Sequence, residues 1–188
     1  LGVTNPNPFT LKVEPGVTEP STSFAVGELF SLTTAGVIAS FSILARDAFL
    51  NRRPGGDSVS VIMEAWDNQT QSLLKPEEQP KTATVTDNSD GSYGAVYSIT
   101  QGGLFRVSIT FAGVYGASTP SLLTVSTGPA DYQRTYVFGQ LLRIKAGSAA
   151  MVWVQTRDRY GNALRADPRE FPDGTEPMRL ELCSAVGG

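Results

Sequence analysis

Between Val85 and Ile109 the chain alternates apolar and polar residues in two runs separated by tight turns. Tyr93, Ala95, Tyr97 and Ile99 share one parity, and Phe105, Val107, Ile109 and Phe111 share another. A period of two with aromatic and β-branched residues on one face marks a half-buried strand, because successive side chains point to opposite faces. Asp87-Asn88-Ser89-Asp90-Gly91 and Gly102-Gly103 punctuate the runs. Glycine takes positive φ without steric cost, and Asn and Asp hydrogen-bond their own backbone, so both read as turns. The expectation is two successive hairpins at the centre of an all-β antiparallel sandwich.

Other stretches carry the same period. Phe9, Leu11 and Val13 alternate before Pro15-Gly16; Phe24 to Thr33 is extended until Gly36 breaks it; Ile38 to Leu44 is a strand. Val59, Val61 and Met63 alternate in the next strand, which closes at Trp66, and Leu122 to Thr127 forms the last. With 19 Gly and 12 Pro and hardly any helical spacing, the composition fits many short strands joined by turns. Asp67 to Lys81, with Pro76, Pro80 and the acidic pair Glu77-Glu78, reads as a long surface loop, a place where function often sits.

Composition narrows the chemistry. No apolar run reaches the ~20 residues of a spanning helix, so no membrane insertion is expected. A net charge of -3 without clustered Lys or Arg argues against a nucleic-acid partner. Histidine is absent, which excludes His-based triads and His metal sites. The sole cysteine, Cys183, permits no intrachain disulfide, is a poor nucleophile without a histidine base, and reads as a core residue. Asp87, Asn88 and Asp90 do not match a calcium loop, because Thr86 stands where the first ligand would be. Asp47 with Asn51, and Asp158 with Asn162, read as structural turns, the alternative being cation ligands between domains. Asn68-Gln69-Thr70 is an N-glycosylation sequon. No enzyme motif, metal site or cofactor site is expected.

The chain also repeats itself. Gly36 to Asn51 aligns without a gap on Gly147 to Asn162, so that Gly, Arg, Asp, an aromatic residue and Asn recur at an offset of 111 (147 − 36). Pro8 to Gly16 resembles Pro120 to Gly128 at an offset of 112 (120 − 8). A period of this size means tandem domains. Residues 1–15 are expected to be the last strand of a preceding repeat, 16–128 a complete repeat, and 129–188 the first part of a following one.

These signatures resemble the filamin-type immunoglobulin-like repeat. The matching pieces are Arg46-Asp47 to Asn51, Gly55-Gly56-Asp57, and Val85 to Tyr93 followed by Val96-Tyr97. Gly103 to Val107 and Ser118 to Leu122 then follow in the family's order. The resemblance implies an immunoglobulin-like antiparallel β-sandwich in tandem, and a non-enzymatic scaffold whose partners are other proteins and neighbouring repeats. It also implies a peptide-binding groove beside the strand at Val59 to Ala65, where partners add a strand. The candidate partner-binding residues are Val59, Val61, Met63, Trp66, Glu77 and Glu78. The Asp67 to Lys81 stretch is longer than the family's usual connection and either covers that groove or extends it. Sparse lysine beside abundant Ala, Gly and Arg fits a GC-rich genome such as a green alga's. With the resemblance, that implies cytoskeletal or axonemal partners in the cytoplasm or cilium; the alternative is a cell-surface adhesion ectodomain, which a glycan on Asn68 would favour. An N-terminal strand without its own sheet is expected to be disordered or to pair with a neighbouring chain's edge.

Overall fold

Apolar residues at every second position draw the chain into two packed sheets. The computed structural model describes residues 11–27, 30–74, 79–117, 119–139 and 152–164. The chain divides into two compact units, Leu1–Gly128 and Pro129–Gly188. Strands of the first unit are β1 (Phe24–Val26), β2 (Leu32–Thr34), β3 (Ile38–Leu44), β4 (Val59–Asp67), β5 (Ser72–Leu73) and β6 (Lys81–Thr82). They continue as β7 (Thr84–Asp87), β8 (Ser92–Ser98), β9 (Gly103–Phe111), β10 (Val114–Tyr115) and β11 (Ser121–Ser126).

One sheet has the order β1-β3-β8-β7; the other runs β2-β11-β9-β4-β5, with β10 on β9 and β6 on β4. Pairing is antiparallel except where β2 runs parallel to β11, Leu32 opposite Thr124. The alternation predicted at Val85 to Ile109 lines the core. Tyr93, Ala95, Tyr97 and Ile99 face Phe105, Val107, Ile109 and Phe111, all of them buried, with Phe41, Ile43, Val61, Met63, Leu123 and Val125 filling between. Each large apolar side chain so buried contributes about 1.5–3 kcal/mol relative to exposure.

The hairpin expected at Asp87–Gly91 is present: β7 pairs with β8, Asp87 opposite Tyr93. The second expected hairpin is not. β8 pairs with β3 and β7, whereas β9 pairs with β4 and β11, so Ile99 to Gly102 carries the chain from one sheet to the other. The reason is burial. Side by side, the two apolar faces would form one half of a core; across the sandwich they cover each other.

The extended stretch from Phe24 to Thr33 divides between the two sheets, β1 in one and β2 in the other. Residues Leu11 to Gly16 join no strand, and Leu11 and Val13 are 86% and 81% exposed. Phe9 lies outside the described residues, as do Glu77, Glu78 and Cys183.

In the second unit, β12 (Tyr136–Gly139) pairs antiparallel with β13 (Val152–Gln155). The Phe138 and Trp153 rings stack with centroids 6.0 Å apart.

Candidate functional site

Strand β4 was expected to offer an open edge, and its residues divide by parity. Val59, Val61 and Met63 point inward; Val61 and Met63 are each 1% exposed, so their side chains are core and not contact surface. One backbone edge of β4 is taken by β9. On the other edge the long connection folds back as two short strands, Trp66 opposite Leu73 and Ile62 opposite Thr82. Leu74 N–H donates to Ala65 O at 2.9 Å and Ala83 N–H to Val61 O at 3.3 Å. The chain's own segments therefore cover the groove along Val61 to Asp67, and an added strand would have to displace them.

The opposite parity of β4 faces outward. Trp66 is half-buried there, with the Arg106 guanidinium 4.8 Å from its ring centroid. Arg106 Nη2 donates to Glu64 Oε2 at 2.8 Å across the β4–β9 pair. A cation over an indole face at a semi-exposed site contributes about 0.5–1 kcal/mol. The result is an outward patch with an aromatic face and a neutralised charge pair.

At one end of the sandwich the other signature residues meet. After β3 ends, the Asp47 carboxylate is 2% exposed and fully engaged. Its Oδ1 accepts from the N–H groups of Phe49 and Asn51, both at 2.9 Å. Its Oδ2 accepts from Gly16 N–H at 2.9 Å and from Asn51 Nδ2 at 3.0 Å. The Asn51 amide, then the backbone donors, hold its carboxyl down at about 2. Both oxygens are spent on closing the turn, the structural reading of Asp47 and Asn51. Asp158 does the same, its Oδ1 accepting from Tyr160 and Asn162 N–H at 2.9 Å and its Oδ2 from Asn162 Nδ2 at 2.8 Å.

Arg53 Nη1 donates to Gly16 O at 2.7 Å, and Thr18 Oγ1 donates to Asp57 Oδ1 at 2.6 Å. The chain entering the sandwich is thus tied at Gly16 and Thr18. The Tyr93 hydroxyl accepts from Asp57 N–H and donates to Asp57 Oδ2, each at 2.9 Å. Asp87 Oδ2 accepts from Gly56 N–H at 2.7 Å, joining the two turn motifs.

Burial, chiefly, pushes the Tyr93 hydroxyl up to about 12. A raised pKa means that the folded state holds the phenolic proton more tightly. The stability this contributes is present below pH ~10, the ordinary tyrosine value, and is lost as pH rises toward ~12. Tyr93→Phe is expected to cost about 1–2 kcal/mol at neutral pH by removing the hydroxyl that serves Asp57 N–H and Oδ2. It should also flatten part of the alkaline loss. Urea unfolding at neutral pH and near pH 11 checks both; an unchanged midpoint at neutral pH contradicts the first.

Trp66 stands out in the sequence, whereas Glu64 and Arg106 do not, because their pairing depends on the β4–β9 register. Asp57 and Tyr93 stand out as motif members, but the bond between them leaves no mark in the sequence.

Among solved structures, the Lin-41 filamin domain is similar at 17% identity and TM-score 0.48, over 62% of this chain and 100% of that one. FdeC, an Escherichia coli adhesin, is similar at 22% identity and TM-score 0.54, over 80% of this chain and 45% of its own. Invasin, a bacterial integrin-binding protein, is similar at 14% identity and TM-score 0.57, over 79% of this chain and 28% of its own. The chain thus spans less than half the length of either adhesin, and at these identities the likeness is one of fold. No curated protein sequence matches. The filamin/ABP280 repeat pattern matches residues 17–120, more than half of the chain and nearly the whole of the β1–β11 sandwich. An immunoglobulin-like sandwich, closed at one end by the Asp47 and Asp87–Gly91 turns, carries that match, and the chain belongs to the filamin/ABP280 repeat family.

Proposed function

We propose that the chain is a run of tandem filamin-type repeats acting as a non-catalytic spacer and docking module in a cytoskeletal or ciliary scaffold. What supports the tandem arrangement most is a corner that recurs in both units. Phe24 stands opposite Leu44 in β1–β3, and Tyr136 stands opposite Gln155 in β12–β13, shifted by 112 (136 − 24) and 111 (155 − 44). The Arg46 guanidinium lies 5.0 Å from the Phe24 ring centroid, and that of Arg157 lies 5.4 Å from Tyr136. Glu19 N–H donates to Arg46 O at 2.8 Å, and Asp131 N–H to Arg157 O at 2.7 Å. In this reading Leu11 and Val13 are the inward positions of a closing strand. The offset of 112 puts them on Leu123 and Val125 (123 − 11, 125 − 13), which are 1% and 2% exposed.

Because β5 and β6 occupy the edge of β4, we assign partner contact to the outward patch of Trp66, Glu64 and Arg106 together with the β5–β6 excursion. Val59, Val61 and Met63 supply its backbone support.

A second reading, a cell-surface adhesion ectodomain, draws on one local observation. Asn68 of the sequon is exposed in the turn between β4 and β5, where Asp67 Oδ1 accepts from Gln69 N–H at 2.8 Å. Crosslinking mass spectrometry on the native protein in cell extract separates the two. Crosslinks from Lys81 to tubulin, actin or an axonemal protein, weakened by Trp66→Ala, are expected. A glycan on Asn68 without such crosslinks would overturn the scaffold reading in favour of adhesion.

A further inference from the structure

The turn closed by Asp47 ends in a feature that folding alone does not require. Phe49 is 84% and Leu50 58% exposed at its tip, and Leu50 is held at φ 68, the left-handed region where a Cβ crowds the following carbonyl. Residue 161, its counterpart in the second unit at the offset of 111 (161 − 50), is glycine at φ 87. The same turn therefore closes with glycine, without the strain. A strained backbone that carries an exposed leucine beside an exposed phenylalanine points to contact rather than to stability.

What lies against the tip follows from the chain's path. Gly16 N–H is held by the Asp47 carboxylate at 2.9 Å, two or three residues from Phe49 and Leu50. Glu14 corresponds to Ser126, the last residue of β11, at the offset of 112 (126 − 14). Only Pro15 separates Glu14 from the tethered Gly16, a span of at most ~7 Å. A sandwich that used Leu11 and Val13 as its closing strand would thus be held against this turn. Val17, 83% exposed, adds to the same apolar end.

We propose that Phe49 and Leu50 form an end-to-end contact with the filamin-type sandwich closed by Leu11 and Val13, stiffening the junction at Pro15-Gly16. The proposal rests on the tandem reading. Its test uses the natural full-length chain, wild type and with Phe49→Ser or Leu50→Gly, followed by small-angle scattering and amide exchange. Thermal unfolding of Leu1–Gly188 gives the control: both variants keep the wild-type midpoint or exceed it, because the tip is exposed there and glycine relieves the strain. In the full-length chain the Leu11 and Val13 amides are protected, and both variants broaden the distance distribution. Protected amides with unchanged scattering would overturn the tip contact and leave the tandem reading standing. Freely exchanging Leu11 and Val13 amides would overturn both.

Discussion

Gly91→Ala is expected to destabilise the first unit by about 2–5 kcal/mol, the sum of a backbone penalty and a steric one. Gly91 sits at φ 80, where any Cβ meets the carbonyl that follows, at a cost of about 1–2 kcal/mol. A Cβ built there would also stand 2.2 Å from Arg53 O and 3.0 Å from Arg53 N. Neither backbone can give way freely. Gly91 O accepts from Ala45 N–H at 2.8 Å, and Arg53 N–H donates to Ala45 O at 3.3 Å, so a shift opens the end of β3. Gly113→Ala is the control, since Gly113 has φ 87 but nothing within 4 Å of its Cβ position. Urea unfolding of both variants isolates the contact with Arg53. If Gly91→Ala costs no more than Gly113→Ala, the clash with Arg53 contributes nothing.

That glycine belongs to the motif from which the sandwich was legible. The alternation along Ile38–Leu44, Val59–Asp67 and Ser92–Ser98 gives strands directly, because every second residue must reach the core. Proximity in sequence says less about pairing. Two amphipathic runs joined at Gly102-Gly103 can lie side by side or face to face, and only the second lets the Tyr93–Ile99 face and the Phe105–Phe111 face bury each other. Strands β5 and β6 span two residues each, too few for any period, so the covering of β4 was invisible. The Glu64–Arg106 pair needs a register between strands more than 40 residues apart (106 − 64). Leu50's backbone strain leaves no signal in its own neighbourhood; only the glycine at the equivalent position of the repeat betrays it.

Asp47→Ala should lower the first unit's melting temperature by roughly 10–20 °C, the largest loss for any single side chain in the turn network. Alanine leaves the N–H groups of Gly16, Phe49 and Asn51 and the Asn51 amide without their acceptor. Three segments then lose their common anchor, because one carboxylate ties the entering chain, the turn and its closing asparagine. The acid profile identifies the charge as the agent. The Asn51 amide and the backbone donors hold the Asp47 carboxyl at about 2, below its ordinary 3.8. A depressed carboxylate pKa contributes stability that is complete above the unfolded value and lost as pH falls through the folded one. The wild type should lose that contribution between pH ~4 and ~2, and Asp47→Ala, having none to lose, should converge on it at the acid end. Melting curves taken across that range decide the matter: parallel profiles would mean that Asp47 acts by shape and not by charge. Convergence would make a single ionised side chain responsible for how firmly the chain is held where it enters the sandwich.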